Sequence, residues 1–198
     1  MDTDPNGKWK SVNGDETYAL EWDINKRSLV WEIGGFEGRW ASQIAEKYDP
    51  YITIFEPTKF GYGRCSERLF VNKKVKVNPH GLWVTDCDLP LYNPGNDGGS
   101  VLMPHVTSEV CHFLDVYTEI KDTDVDLCLM NVEGAEYILL PYMIANRLME
   151  NIRYFWCQFH SFMPDSEERY LRIHEGMKRT HNLKWTFFPT AVAWERKE

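Results

Sequence analysis

Apolar residues along the chain alternate between strand-like runs and helix-like spacing. An apolar run at residues 29–31 and predominantly apolar runs at 51–55, 125–130 and 154–159 predict buried strands, and segments with helical periodicity follow them. Strands that alternate with helices are typical of an open, mostly parallel sheet covered by helices. We therefore predict a single α/β domain over residues 1–198. Its sheet is mostly parallel and closes with an antiparallel hairpin of residues 184–188 and 190–194.

The stretch at residues 29–38, LVWEIGGFEG, organises this prediction. An apolar run ends at the acid Glu32, and glycines follow at Gly34, Gly35 and Gly38. A helical pattern then begins at Trp40. Glycine turns of this kind allow the backbone to approach a ligand closely, and they direct the helix N-terminus at it. The spacing differs from the G-x-G-x-x-G of dinucleotide-binding proteins, and a turn that only packs a helix on the sheet remains the alternative.

Weaker patterns predict the remaining elements. Residues 1–17 are rich in Asp, Asn and Gly and predict a loose arm or a cap. Further along the chain we predict an edge strand at 18–22, a poor helix at 58–70, a third strand at 74–78, a hairpin of 82–85 with 89–92, a short strand at 106–111, a helix from 136 to about 149, and a helix from a capping box at 165–168 to about 182.

Composition narrows the class of protein. The chain has 198 residues, 43% hydrophobic residues and a net charge of −8, as expected for a globular protein without a basic surface. We therefore expect no nucleic-acid partner, since phosphate binding needs clustered Lys and Arg. We also expect no membrane span and no signal peptide. The five cysteines are widely spaced without a C-x-x-C motif, which favours a reduced, cytoplasmic protein.

Polar residues follow the predicted parallel strands where each strand ends. They are Glu32 and Gly34, Glu56, Asn78 to His80, Asn131 to Glu133, and Gln158 to His160. Parallel strands bring such positions to one edge of a sheet, where open α/β proteins bind their ligands. A carboxylate at Glu56 suits a ribose, because it can accept hydrogen bonds from both hydroxyls. We expect Glu32 and Glu56 to lie side by side around a bound nucleoside.

Several motifs, taken in order, resemble those of the FkbM-type methyltransferases, which belong to the class I S-adenosylmethionine-dependent enzymes. The motifs are WEIGGFEGRW, ITIFEP, DGGSVL, FLDVYTEI, VDLCLMNVEGAEYILL and FWCQFHSF. The similarity extends from about residue 29 to residue 160. It implies a Rossmann-like class I sheet, S-adenosylmethionine as cofactor with S-adenosylhomocysteine as product, and O-methylation of a sugar or glycan-like small-molecule hydroxyl.

The resemblance also implies roles for individual residues. Glu32, Gly34, Gly35 and Gly38 match the turn that holds the methionine part of the cofactor. Glu56, with Pro57 after it, matches the acid that holds the ribose. The stretch 78–82, with His80 and Gly81, falls where adenine usually lies. Asn131, Glu133 and Glu136 match a D-x-E-G-x-E block beside the methyl group, and His160 matches a histidine that closes the next strand. Asn131 and Gln158 stand where the family commonly has acids.

Methyl transfer to a hydroxyl benefits from a positioned base. We expect His160 to serve, because its unperturbed pKa lies near neutrality, with Glu133 next and Asn131 as a further catalytic candidate. Glu133 as a helix cap and His160 as a structural residue remain alternatives. We predict no metal site, although a divalent ion on Asn131, Glu133 and His160 is a less favoured alternative.

Two further functions remain open at this point. One is that of a family member that binds the cofactor but has impaired catalysis, since Asn131 and Gln158 lack the family charges. The second is that of a nicotinamide-dependent oxidoreductase, which the G-x-x-x-G spacing and the missing Tyr-x-x-x-Lys pair oppose. The sequence leaves the oligomeric state open, including a homo-oligomer.

Overall fold

The computed structural model describes residues 5–96 and 98–198 of the chain. Its helices are α1 (Pro5–Ser11), α2 (Arg39–Tyr48), α3 (Lys59–Leu69), α4 (Val116–Ile120), α5 (Glu136–Ala145) and α6 (Ser166–Met177). Its strands are β1 (Leu29–Ile33), β2 (Tyr51–Phe55), β3 (Val75–Asn78), β4 (Gly81–Trp83), β5 (Cys87–Tyr92), β6 (Ser108–Asp115), β7 (Val125–Met130), β8 (Ile152–Cys157), β9 (His181–Phe187) and β10 (Ala191–Arg196).

Within the described residues, the main sheet has seven strands in the order β3-β2-β1-β7-β8-β10-β9. The first five strands of that order run parallel, while β10 pairs antiparallel with both β8 and β9. The predicted α/β class, the mostly parallel sheet and the antiparallel C-terminal hairpin are confirmed.

Side chains that alternate along the central strands build a core on each face of the sheet. Val30 of β1 packs with Trp40 and Ile44 of α2 on one face. Trp31 of β1 packs with the α5 side chains, Leu139 among them, on the opposite face. Because consecutive strand residues point to opposite faces, the central strands need apolar residues at nearly every position.

The register of the central strands decides where their polar ends lie. Ile33, the last residue of β1, pairs with Phe55 of β2 and with Met130 of β7. The next residue of each strand therefore reaches the same edge of the sheet: Gly34, Glu56 and Asn131. Beyond β8, the backbone N–H of Gln158 donates to the carbonyl of Met130, so this segment joins the same edge.

Three predicted elements differ from the structure near residues 18–115. Residues 18–22 form no strand; Tyr18–Leu20 is a short 3-10 helix. The predicted hairpin of 82–85 with 89–92 is wrong, because β6 lies between β4 and β5 in a second, three-stranded sheet. Of the short strand predicted at 106–111, residues 108–111 belong to the longer β6, which continues to Asp115. Cys111 and Phe113 of β6 bury Leu91 of β5, which explains why β6 takes the central place.

Helix α3 is regular although two glycines interrupt its sequence. The side-chain oxygen of Thr58 accepts a hydrogen bond from the Gly61 N–H and so caps the helix. A Cβ on Gly61 would lie 2.6 Å from the carboxyl carbon of Glu56. Glycine at this position therefore lets the helix approach a buried acid at the edge of the sheet.

The last two helices are shorter than predicted. Helix α5 ends at Ala145, and after Arg147, with φ of 62°, a separate 3-10 helix covers Leu148–Asn151. Helix α6 ends at Met177, because the chain already enters β9 at His181. The capping box expected at Asp165 does not form, since its side chain makes no cap hydrogen bond.

The N-terminal segment was expected to form a loose arm or a cap. Residues 1–4 of that prediction lie outside the described residues. Helix α1 carries Trp9, which is only 4% exposed and packs against Trp156, Trp185 and Phe187. The described part of the segment is therefore packed against the sheet rather than loose. The single-domain boundary of 1–198 stays a prediction.

His181, at the start of β9, is a structural histidine. It is 1% exposed, and its ring nitrogens pair with the carbonyl of Ile152 at 2.9 Å and the hydroxyl of Thr180 at 2.8 Å. Burial lowers the pKa of His181 to about 4, against the opposing hydrogen bond to Ile152. The folded protein therefore holds this ring neutral where an unfolded chain protonates it.

We expect this histidine to make the fold sensitive to acid. Because its folded pKa lies below its unfolded value, stability falls as the pH drops below about 6.5 toward about 4, by about 2 kcal/mol at pH 5. Urea unfolding at about pH 7 and about pH 5 should show a smaller acid loss in His181→Gln than in the wild type. His105→Gln, at an exposed position, is the control. Equal acid losses in all three proteins would contradict the assignment.

Candidate functional site

The turn after β1 touches the end of β7 through the main chain. Gly34 has φ of 85°, and a Cβ at this position would lie 1.9 Å from the carbonyl oxygen of Asn131. Only glycine fits here, for both conformation and space. Gly35 and Gly38 lie in the same turn, and Gly38 immediately precedes α2. The turn therefore joins two strand ends that are almost a hundred residues apart in sequence.

Phe36 lies in the middle of this turn with φ of 45°. Its backbone N–H donates to Glu56 Oε2 at 2.8 Å, and its ring lies 5.8 Å from the ring of Phe60. Phe36 is not among the predicted site residues, because no local sequence signal marks a phenylalanine for positive φ.

Glu56 is buried at the end of β2, with 5% exposure. One carboxylate oxygen accepts from Phe36, and the second accepts from the backbone N–H and the hydroxyl of Thr58, at 2.9 and 2.6 Å. A carboxylate offers about four acceptor positions, so about one remains. The expectation that Glu56 accepts both ribose hydroxyls stays a prediction, and in this conformation those hydroxyls would share the carboxylate with Phe36 and Thr58. Burial raises the pKa of Glu56, and the hydrogen bonds oppose that rise.

Glu32, at 3% exposure, faces the first turn of α2. Burial first, and then the negative charge of Glu56, raises its pKa well above the usual range, while a hydrogen bond with the backbone of Ala41 opposes the shift. Among the described residues, nothing pairs with Glu32 Oε2. The carboxyl is thus a buried group with one unsatisfied oxygen.

Two cavities open at this edge, one on each side of the turn. The first cavity is lined by polar groups at the strand ends and by an apolar wall: Gly34, Glu56, Pro57, Gly81, Asn131 and Glu133, with Leu82 and Phe113. The second cavity is lined by Trp9, Asp15, Glu32, Trp40, Asn131 and Trp156. Glu32 and Glu56 are close enough to interact, as expected, but they line different cavities. The arrangement of both acids around one nucleoside stays a prediction.

His80 packs against Asn78 and His112 and is not among the described residues that line the first cavity. It is half-buried, its Nδ1 lies 2.8 Å from Asn78 Oδ1, and its ring packs edge-on against His112. Gly81 lines the first cavity, whereas His80 is not among the described residues that line it. Of the pair predicted to contact adenine, the structure places only Gly81 at the cavity.

The buried His160 and Glu136 form a cluster with the partly buried Glu133 beside the first cavity. His160 Nε2 lies 3.1 Å from Glu133 Oε1, and its Nδ1 lies 3.1 Å from Glu136 Oε1. The His160 backbone N–H also donates to Glu136, and the Gly134 N–H donates to the second Glu136 oxygen. Glu136 is fully buried, so its carboxylate fixes both the histidine and the loop after β7.

The cluster changes the protonation expected of His160. Burial lowers the pKa of His160, but the hydrogen bonds and charges of Glu133 and Glu136 outweigh burial and raise it to about 9. The ring is therefore an imidazolium at neutral pH, and the premise that made His160 the base does not hold. Glu133 lines the first cavity and is the carboxylate of the cluster that faces it.

The described residues contain neither a cluster of metal ligands nor a helix suited to a membrane. Within residues 5–96 and 98–198, no group of three or more His, Cys, Asp or Glu side chains has the arrangement of a metal site. Across the same residues, no helix has the length and apolar character needed to cross a membrane.

This fold is similar to those of several solved structures, whereas the comparisons by sequence found no match. No family model matches the sequence, and no curated protein matches it. The fold is similar to that of a protein from Clostridium thermocellum named as an rRNA methylase, with TM-score 0.62, 10% identity and coverage of 95% of this chain and 96% of that one. An rRNA methylase from Streptococcus thermophilus gives TM-score 0.55, 10% identity and coverage of 100% and 99%.

A third match is the fibrillarin/Nop5p complex, with TM-score 0.56, 12% identity and coverage of 96% of this chain and 82% of that one. Identities this low establish the fold alone. The chain has the Rossmann-like fold of these methyltransferases, which bears out the predicted architecture. The narrower resemblance to FkbM-type enzymes rests on the sequence motifs.

We expect His160 to make the fold sensitive to alkali. Its folded pKa lies above its unfolded value, so its stabilising contribution is complete below about pH 6.5 and is lost as the pH rises through about 9, an upper limit of about 3 kcal/mol. Urea unfolding at about pH 6 and about pH 9 should show a smaller alkaline loss in His160→Gln than in the wild type. If the wild type and His160→Gln lost the same stability between these pH values, or if neither lost any, His160 would not be an imidazolium. His105→Gln is again the control.

Proposed function

We propose that this protein is an S-adenosylmethionine-dependent methyltransferase of the FkbM type. The observation that carries the proposal is the first cavity, where four segments far apart in the sequence meet. They are the turn at Gly34, the β2 end at Glu56, the start of β4 at Gly81, and the β7 end at Asn131 and Glu133. The resemblance assigns cofactor or catalytic roles to these same segments.

The cavity residues fit a nucleoside with an attached amino acid. Leu82 and Phe113 offer an apolar wall for a flat base, and Glu56 retains about one acceptor position for a ribose hydroxyl. Asn131 Oδ1 is buried without a partner among the described residues and lines both cavities, so it suits a hydrogen-bond donor that passes between them. When bound, S-adenosylmethionine supplies a methyl group on a sulfonium.

The protein's own groups then hold the acceptor and its proton. The carboxylate of Glu133 faces the first cavity and is the group proposed to take the proton from the acceptor hydroxyl. The imidazolium of His160 donates to Glu133 and fixes its orientation, while Glu136 holds the ring from the opposite side. His160 is thus proposed as a positioning residue rather than as the base.

The acceptor is proposed from the family resemblance as a hydroxyl of a sugar or glycan-like molecule. The rRNA methylases among the structural matches favour RNA as a second candidate class. The net charge of −8 opposes RNA, since the chain has no excess of cations to neutralise phosphates. A cofactor-binding protein without catalysis and a nicotinamide enzyme are less favoured functions. The reduced, cytoplasmic location also stays a prediction.

We expect S-adenosylhomocysteine to stabilise the protein and NAD to leave it unchanged. A ligand of the folded state at about 100 times its Kd adds about 2.7 kcal/mol, which a thermal-shift titration detects. Glu56→Gln removes a buried charged acceptor and should weaken S-adenosylhomocysteine binding by about tenfold or more. Glu46→Gln, on the exposed side of α2, is the matched control. A shift with NAD alone would overturn the proposal.

We expect Glu133→Gln to abolish most methyl transfer while S-adenosylhomocysteine still binds. Loss of a general base lowers the rate by about 10² to 10⁴. Mass spectrometry of a glycan panel and an RNA panel, each incubated with S-adenosylmethionine, measures the product. If RNA were methylated and no glycan were, the proposed acceptor would change from a glycan to RNA. A product from neither panel, with cofactor binding intact, would favour the impaired family member.

A further inference from the structure

Residues 98–102 are the described part of the motif DGGSVL, whose Asp97 lies outside the described residues. Gly99 and Val101 line the first cavity, whereas Ser100 between them is 2% exposed and is not among the described residues of that wall. The backbone N–H of Ser100 donates to Tyr92 at the end of β5 at 3.0 Å, and its carbonyl accepts from Tyr92 at 2.9 Å. The main chain at Ser100 is therefore anchored to the three-stranded sheet.

The hydroxyl of Ser100 joins this segment to the loop after β7. Its Oγ donates to the backbone carbonyl of Glu133 at 2.6 Å and accepts from the backbone N–H of Leu102 at 3.1 Å. A serine hydroxyl has one proton to donate, so that proton is committed to the Glu133 carbonyl. The hydrogen bond is buried and spans 33 residues of sequence.

The backbone of Glu133 has a conformation that is rare for a residue with a side chain. Its φ is 50°, in the left-handed region. Such a conformation persists only where neighbouring groups hold it, and it is concentrated at functional sites. Gly134 follows with φ of 97°, and its N–H donates to the Glu136 carboxylate at 2.9 Å. The Glu133 carbonyl and the Gly134 N–H belong to one peptide group, so Ser100 and Glu136 hold that group from its two sides.

The orientation of this peptide group bears on the Glu133 carboxylate. A rotation of the group changes ψ of Glu133, and with it the direction of the side chain relative to the following segment. In the structure that side chain lines the first cavity, and its Oε1 lies 3.1 Å from His160 Nε2. Both contacts of the carboxylate therefore depend on the peptide group that Ser100 holds.

We propose that Ser100 is a positioning residue, which fixes the peptide group between Glu133 and Gly134 and thereby holds the Glu133 carboxylate between His160 and the first cavity. Ser100 acts through Glu133 and not on a bound molecule. The consequence for methyl transfer rests on the proposed function, whereas the fixing of Glu133 against His160 does not.

A serine that only stabilises its loop would behave differently, and Ser28 supplies the matched control. Ser28 is 5% exposed, and its Oγ accepts from the backbone N–H of Asn25 at 3.1 Å. It precedes β1 and so lies at the end of that strand remote from the glycine turn. A structural role alone would make Ser100→Ala and Ser28→Ala similar, with a loss of stability and no change at His160.

An NMR titration of the six histidine rings tests the fixing of Glu133 directly, with the His160 signal identified by its loss in His160→Gln. Glu133 and Glu136 hold the pKa of His160 at about 9. Ser100→Ala should lower that pKa by about one unit or more, because a displaced Glu133 no longer stabilises the imidazolium. Ser28→Ala should leave it unchanged. An unchanged pKa in folded Ser100→Ala would refute the proposal.

Two further variants separate the hydroxyl from the space that it fills. Ser100→Thr keeps a donor and should keep the pKa of His160 near the wild-type value. Ser100→Cys has nearly the same shape as serine but is a weak donor, so it should lower the pKa in the same direction as Ser100→Ala. It also serves as the test variant if Ser100→Ala does not fold. A wild-type pKa in Ser100→Cys, or a fall in Ser100→Thr as large as in Ser100→Ala, would show that the hydroxyl is not the cause.

Methyl transfer to the glycan panel, measured with S-adenosylmethionine, tests the consequence for catalysis. Ser100→Ala should lower kcat by about tenfold or more, since a displaced base is poorly aligned. Its KM for S-adenosylmethionine and its stabilisation by S-adenosylhomocysteine should change by less than about twofold. A lowered pKa of His160 with normal kcat would refute the role in transfer. If the wild type methylated neither panel, the methyltransferase assignment would fail, while a lowered pKa in Ser100→Ala would still support the fixing of Glu133.

Discussion

Both cavities depend on the contact between Gly34 and the backbone of Asn131. The main chain of the β1 turn lies against the end of β7, and any side chain at position 34 would collide with the Asn131 carbonyl. The backbone N–H of Gly34 donates to Phe55, and that of Asn131 donates to Ile33, so three strand ends are fixed together. Since the turn separates the two cavities, its position determines the shape of both.

This edge of the sheet concentrates buried acids, and the protein stabilises them in different ways. Glu56 has three hydrogen-bond donors from Phe36 and Thr58. Glu136 has two backbone donors and the His160 ring. Glu32 keeps an oxygen unpaired, and burial with the nearby charge of Glu56 favours its neutral form. Unsatisfied buried groups are costly, so Glu32 is the residue at which a ligand has the most to contribute.

The sequence predicts the sheet well because its signals are local and strong. The apolar run of β7 and the turn after β1 each mark their own positions, and the order of strands follows from parallel crossovers. The hairpin of 82–85 with 89–92 fails because the pairing of β6 with both neighbours depends on long-range burial of Leu91 and Phe113. Local patterns cannot encode a strand that inserts between two others.

The sequence predicts which residues lie at the site, but it does not predict their protonation or the walls of the cavities. The strand-end argument brings Glu56, Asn131, Glu133 and His160 to one edge, as the structure has them. The strand-end argument does not predict that two carboxylates contact His160. Glu133 and Glu136 follow β7, and their contacts with the ring that follows β8 depend on the tertiary fold. Nor does composition reveal that Trp9 of α1 closes a cavity beside Glu32. Protonation and cavity walls arise from packing between distant segments, which spacing alone does not specify.

The same charges account for the two positions at which this chain differs from the FkbM-type motifs that it resembles. Asn131 and Gln158 stand beside an edge that already holds Glu32, Glu56, Glu133 and Glu136. The Gln158 amide lies 3.4 Å from His160 Nε2, where another carboxylate would compete with Glu133 for the ring. Asn131 retains an acceptor oxygen between the cavities without a further buried charge. Neutral side chains at these positions therefore suit the local electrostatics, and they are not in themselves evidence that catalysis has been lost.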